Sequence, residues 1–157
     1  MIKFPFKFPE LKTDEIRANI SYVGLCTSDV QVVRNKRKNV KYPIIPGHEI
    51  IAEISMIGLD VKNLKIGDLI GFGTIRSSCG YCVPCKNGKE NICKNKIPTY
   101  GTYWGGYSTS LQAKADWCFK LPKNFDIRRD APLLCAGITT IYPIKCYLSK
   151  STIKNTG

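Results

Sequence analysis

A chain of 157 residues, 43% hydrophobic and 23% charged, is long enough to bury a core and does not have the composition of a disordered or membrane-embedded protein. The formal charge of +12 admits polyanions as partners. Lysines nevertheless run along the whole length and are enriched together with Asn and Ile, so the densest basic cluster, Arg34 to Lys41, reads as a solvated loop and nucleic acid is disfavoured as a partner.

The opening residues, Met1 to Pro9, alternate Phe, Lys and Pro and suit an extended edge segment. Glu15 to Cys26 has strand periodicity, with Ile16, Ala18, Ile20 and Tyr22 on one face. A short helix is expected after Cys26, ending before the basic loop. Tyr42 to Gly47 is a stiff connector whose two prolines exclude a helix. His48 to Ile57 is again β, with Ile50, Ala52, Ile54 and Met56 on one side, and Leu69 to Gly73 is a strand after a Gly67-Asp68 turn. Gly105-Gly106 opens a strand in which Tyr107, Thr109, Leu111 and Ala113 alternate, and Trp117 to Leu121 is a further short one. Beyond Pro122 the character changes. Asp126 can cap a helical turn, and the apolar run Ala131 to Leu148 is expected to be helical, interrupted near Pro132 and Pro143. Short strands with glycine turns followed by a late helical segment predict a mainly β, partly open barrel. No apolar run reaches membrane-spanning length, no signal-peptide layout opens the chain, and no membrane partner is expected. Eight cysteines in that setting suit metal binding in a reducing compartment, intracellular and cytoplasmic.

The most informative segment is the metal-ligand loop of about residues 77–96, in which Cys79, Cys82, Cys85 and Cys93 form C-x2-C-x2-C-x7-C. Four thiolates on one short loop make a closed tetrahedral shell that zinc prefers and that leaves no position for a substrate. Disulfides fit poorly, because the first three cysteines are too closely and evenly spaced to pair. An iron–sulfur run would place its fourth cysteine after three residues and before a proline, and here Lys94 follows a longer gap. Lys86, Lys89, Lys94 and Lys96 are near enough to offset the negative charge of a four-thiolate zinc.

The single histidine, His48, lies in Pro46-Gly47-His48-Glu49, at a strand entrance and before a carboxylate. Cys26 closes the preceding strand and is followed by Thr27-Ser28-Asp29. A mixed Cys/His shell with one open position is what a catalytic zinc requires.

Five motifs occur in order: Cys26-x-Ser28-Asp29, Gly47-His48-Glu49, the four-cysteine loop, Gly105-Gly106-Tyr107-Ser108, and Leu134-Cys135-Ala136-Gly137-Ile138-Thr139. Their succession, over about residues 10–148, resembles the zinc-dependent medium-chain alcohol dehydrogenases, most closely the cinnamyl-alcohol dehydrogenase branch. The resemblance implies a GroES-like catalytic domain over 1–125 and a helical connector over 126–157 leading towards a Rossmann domain. It makes Cys26, His48 and Cys135 the ligands of a catalytic zinc, and Cys79, Cys82, Cys85 and Cys93 those of a structural one. Glu49 would stand beside the catalytic metal, Asp29 would hold the far nitrogen of His48, and Ser28 would pass on the alcohol proton. Cys118 and Cys146 are left as core thiols.

By the same resemblance the expected chemistry is zinc-assisted, NADP-dependent oxidation of a primary alcohol or reduction of an aldehyde. No G-x-G-x-x-G occurs in these residues, so they are not expected to hold a nicotinamide or complete the reaction by themselves. Thr27, Gln31 and Pro98 stand where relatives often carry a basic residue, a relay histidine and an aromatic substrate contact. The alternative is a non-enzymatic zinc-binding remnant or interaction module. In either case the apolar run 131–148 is expected to meet a second copy or a partner chain.

Overall fold

The computed structural model describes residues 2–36, 38, 40–100 and 104–148, so the last part of the expected connector, 149–157, lies outside the described residues. Its centre is an antiparallel sheet of five strands, ordered β6-β1-β2-β3-β7. These are β1 (Glu15–Val23), β2 (Ile50–Ile57), β3 (Leu69–Phe72), β6 (Ser110–Lys114) and β7 (Phe119–Lys120). The two ends of that order do not pair with each other, so the barrel is partly open. A separate pair, β4 (Ile75–Ser77) and β5 (Ile97–Pro98), forms the neck of the cysteine loop. Helix α1 (Thr27–Val33) follows β1, α2 (Val83–Lys86) lies inside the loop, and α3 (Ala136–Leu148) comes last.

The core is apolar side chains from the strands: Ile16 and Ala18 of β1, Ile50, Ala52 and Ile54 of β2, Ile70 and Phe72 of β3, and Leu111 and Ala113 of β6. Each fully buried Ile or Phe contributes about 1.5–3 kcal/mol relative to exposure. Ile51 is as buried as its neighbours Ile50 and Ala52, so this end of β2 is covered on both faces. That burial positions the site, because His48 and Glu49 immediately precede β2 and are drawn into the interior with it.

Several expected elements take a different form. The alternation in β1 fails after Ile20, because register shifts at Arg17/Ala18 and Ile20/Tyr22 rotate the strand and leave Tyr22 exposed. Met56 is likewise exposed, beside the Arg17 guanidinium. The strand expected from Gly105 begins only at Ser110. The N–H groups of Gly105, Gly106 and Tyr107 donate to the carbonyls of Ile45, Gly47 and Pro46, which draws this segment away from the sheet and onto the Pro46-Gly47 turn. Ala115–Trp117 is a 3-10 turn, so only Phe119 and Lys120 remain as strand.

Residues 2–9 pair with no strand; instead Phe4 and Phe6 stack on Trp104. The apolar run 131–148 breaks at Cys135, between a 3-10 turn and α3, but Pro143 does not interrupt α3. No residue of α3 is buried, so the Thr139 carbonyl that Pro143 cannot serve stays open to water. Cys118 is a core thiol as expected, whereas Cys146 is half-buried on the mostly exposed α3, outside the core. The described residues of the basic loop are exposed, apart from half-buried Val40. No described helix is long and apolar enough to cross a membrane.

One ion pair gives the fold a pH signature. Asp68, buried before β3, accepts from Lys120 Nζ at 2.7 Å and from the Lys65 N–H at 3.0 Å. The hydrogen bond from Lys120 holds its carboxyl below the usual range. A depressed folded value stabilises the fold above the unfolded pKa of about 3.9, and that contribution is lost as pH falls through the folded value. Asp68→Asn should therefore lower the melting temperature at pH 7, and its gap from the parent should close below about pH 4.

Candidate metal centres

In the cysteine loop, β4 and β5 hold the two ends together, and Cys82 starts α2 with Pro84 in its first turn, where a missing N–H costs nothing. A 3-10 turn over Glu90–Ile92 then carries Cys93 back to the others. The sulfurs stand 3.4 Å apart for Cys82–Cys85, 3.6 Å for Cys79–Cys93, 3.8 Å for Cys82–Cys93 and 3.9 Å for Cys79–Cys85. Tetrahedral bonds of about 2.3 Å to one zinc would set sulfurs about 3.8 Å apart, whereas a disulfide needs about 2 Å. None of the eight cysteines is in a disulfide. The Cys82 N–H, then that of Tyr81, lowers the Cys79 thiol to about 6, and the hydrogen bond between Cys85 Sγ and Ser78 Oγ, at 3.4 Å, also lowers Cys85. Cys82 goes the other way: against the lowering by the Cys85 N–H, burial and the facing sulfurs of Cys85, Cys79 and Cys93 push it up to about 12, so thiolate is favoured at Cys79 and Cys85 but not at all four.

The second cluster gathers three distant segments. One ligand atom each from Cys26, His48, Glu49 and Cys135 lies within 4.8 Å of the others. Cys26 is the N-cap of α1, His48 and Glu49 lead into β2, and Cys135 sits at the break before α3. Two glycines make the approach possible. Gly47 has φ +98, and a Cβ at Gly24 would run into the Glu49 carboxylate.

Asp29, only 1% exposed, is the node that orients these groups. Its Oδ1 accepts from the Gly47 N–H at 2.9 Å and faces His48 Nδ1 at 3.0 Å, and its Oδ2 accepts from the Cys26 N–H at 3.0 Å. Burial opposes its charge, but these bonds, from His48 first, hold the carboxyl below its ordinary value. Because Nδ1 is engaged by Asp29, Nε2 of His48 is the nitrogen left for the cluster. It and Glu49 Oε2 are buried with no hydrogen-bond partner among the described residues. Two orphaned buried lone-pair atoms beside two sulfurs are costly unless something binds them. This donor set of two sulfurs, one imidazole and one carboxylate fits zinc. Burial raises the Glu49 carboxyl, and burial with the Cys26 charge pushes Cys135 up to about 11, as expected where anionic groups converge.

Ser28 is half-buried, and its N–H donates to Cys26 Sγ at 3.5 Å. That bond is the main influence lowering the Cys26 thiol. Two further residues border the site. The Tyr100 ring lies 5.2 Å from the His48 ring, and the Tyr107 hydroxyl lies 3.3 Å from Asp29 Oδ2. The sequence placed Tyr107 in a strand and in the Gly105-Gly106-Tyr107-Ser108 motif, with no role at the site. Its neighbour Gly106 offered one signal, since two consecutive glycines mark a close backbone approach.

A partly open barrel carries a four-sulfur loop and a separate Cys/His/Glu cluster, each a group that could hold a metal ion. The family described as "Alcohol dehydrogenase GroES-like domain" matches residues 12–123. Mannitol dehydrogenase of Apium graveolens is 39% identical over 152 residues, which cover 91% of this chain and 42% of that protein. Cinnamyl alcohol dehydrogenase 8 of Arabidopsis thaliana is 38% identical over 151 residues, covering 90% and 42%. Among solved structures, a cinnamyl alcohol dehydrogenase of Sorghum bicolor superposes with a TM-score of 0.88 at 29% identity, covering 93% of this chain and 44% of that one. A Helicobacter pylori enzyme of the same name, complexed with NADP(H), gives 0.84 at 36% identity, covering 87% and 42%. The chain belongs to the alcohol dehydrogenase family, through its GroES-like domain, and is cinnamyl-alcohol dehydrogenase-like. It spans less than half the length of these relatives.

Proposed function

We propose that these residues form the metal- and oxygen-binding half of a zinc-type alcohol dehydrogenase acting on a primary alcohol or its aldehyde, with NADP as hydride partner. The observation that carries this reading is the pair of buried, unpartnered atoms His48 Nε2 and Glu49 Oε2 beside the sulfurs of Cys26 and Cys135. Cys26, His48 and Cys135 would hold the zinc, with Glu49 alongside. Bound there, zinc would supply Lewis-acid polarisation of the substrate oxygen. Asp29 keeps the proton of His48 on Nδ1 and so presents the Nε2 lone pair. Ser28, in the first turn of α1, is the hydroxyl that would take the alcohol proton. Gln31, one turn on, cannot titrate near neutrality and would not extend that path. The four-cysteine loop would carry a closed structural zinc. Domain limits of 1–125 for the barrel and 126–157 for the connector, and a reducing, cytoplasmic setting, complete the reading.

Cobalt(II) replacing zinc tests this without any need for turnover. The expected result is a second cobalt whose absorption bands shift saturably when a primary alcohol or aromatic aldehyde is added. Bands indifferent to both would contradict the proposal. NADPH fluorescence should stay unchanged with these residues alone, because no dinucleotide fingerprint occurs among them.

One observation favours an interaction role beside the chemistry. On and before α3, Leu133, Ile138, Tyr142, Ile144 and Tyr147 are all about half exposed or more. Association through 131–148, with a second copy or a partner chain, follows as a proposal.

A further inference from the structure

We propose that Tyr107 is a positioning residue for the Cys26/His48/Cys135 centre, acting through Asp29. This rests on the reading of those three residues as metal ligands. An ionised carboxylate has about four acceptor positions. In Asp29 three are taken by the Gly47 N–H, His48 Nδ1 and the Cys26 N–H, each at 2.9–3.0 Å. The fourth donor is the Tyr107 hydroxyl, 3.3 Å from Oδ2, with its single proton shared with the Gly24 carbonyl at 3.2 Å.

Tyr107 is 37% exposed and its hydroxyl has a second acceptor in the Gly24 carbonyl, so its own satisfaction does not require Asp29. Asp29, at 1% exposure, has no such choice. The carboxylate needs the phenol, and the phenol does not need the carboxylate. Two of the other donors to Asp29 belong to Cys26 and His48 themselves, so a twist of the carboxylate would move both ligands together. Tyr107 is brought there by a segment remote from all three ligands. Its N–H donates to the Pro46 carbonyl at 2.9 Å, and the Gly106 N–H donates to that of Gly47 at 2.9 Å. The tyrosine therefore closes the carboxylate cage from outside, and the same contact pins Gly24, whose lack of a Cβ makes room for Glu49.

The experiment is anaerobic cobalt(II) titration of the metal-stripped full chain, read by absorption. Bands of the two centres are separated by comparison with His48→Ala, which retains the four-cysteine centre. Tyr107→Phe, which keeps the ring, should weaken cobalt at the Cys/His centre about 3- to 10-fold, and Asp29→Asn about 10-fold or more, with the four-cysteine centre unchanged in both. In the Asp29→Asn background, adding Tyr107→Phe should cost nothing further. That non-additivity separates positioning through Asp29 from general structural damage. Unchanged or tighter binding in Tyr107→Phe, or additive losses in the double variant, would overturn the proposal. If Tyr107→Phe alone does not fold, as judged by its melting curve, Asp29→Asn and the double variant decide by the same criterion. Absence of a Cys/His cobalt centre in the parent would instead remove the ligand reading on which the proposal stands.

Discussion

Cys93→Ser is expected to release one metal per chain and lower the melting temperature by about 10 °C. The lobe between β4 and β5 has almost no apolar core. Its large hydrophobic residues Tyr81, Val83 and Ile92 point to solvent, and its buried side chains include the sulfurs of Cys85 and Cys93. With so little hydrophobic burial, a metal bound by the four cysteines would supply what holds the loop. Structural zinc contributes about 10–16 kcal/mol to isolated zinc-finger peptides at neutral pH. Only part of that reaches the barrel, whose core lies elsewhere. A transmitted loss of about 3 kcal/mol corresponds to about 10 °C for a chain of this length. Calorimetry and metal content check the outcome together, and far-ultraviolet dichroism should still report the sheet. A Cys93→Ser protein that keeps its full metal complement and melts like the parent would refute this account of the loop.

His48→Ala should act on the other centre. It removes the only imidazole and leaves the Asp29 carboxylate buried without its main partner. Cobalt affinity there should fall at least about 100-fold, beyond the effect of losing an outer hydrogen bond. The fold should also lose about 3 kcal/mol, because a buried carboxylate then loses the side-chain donor it faces. His48→Gln separates the two effects. Its amide can still donate to Asp29, so most of the stability should return while the metal does not. Isothermal titration with cobalt and thermal melts of both variants distinguish these outcomes. Equal cobalt binding in parent and His48→Ala would dismiss His48 as a ligand.

The two centres differ in how far they could be read from the chain alone. The four cysteines of the loop are neighbours in sequence, so their spacing already limits what they can bind, and the sulfur separations agree with that limit. Cys26, His48 and Cys135 are far apart, and no local pattern brings them together. Resemblance to a family suggested them, and the folded chain brings them together, with His48 and Glu49 buried at the entrance to β2 and Asp29 bonded to both Cys26 and His48. In the sheet, β2 and β3 were legible because their apolar runs are packed on the core. The register shifts of β1 left no mark in its alternation. Gly105 to Thr109 misled for a related reason. The segment alternates like a strand, but its N–H groups are spent on the Pro46-Gly47 turn, and only the folded chain reveals that competition. Tyr107 belongs to the same blind spot, because its link to Asp29 crosses from the approach to β6 to the start of α1. Pro143 shows the opposite error: a strong breaker is tolerated in α3 because nothing there is buried.

The most direct test of the two-centre account is zinc content per chain combined with X-ray absorption at the zinc edge. Four cysteines at one centre, and Cys26, His48 and Cys135 with one oxygen at the other, predict two zincs with an average shell of three sulfurs and one nitrogen or oxygen. A single zinc surrounded by four sulfurs would contradict it.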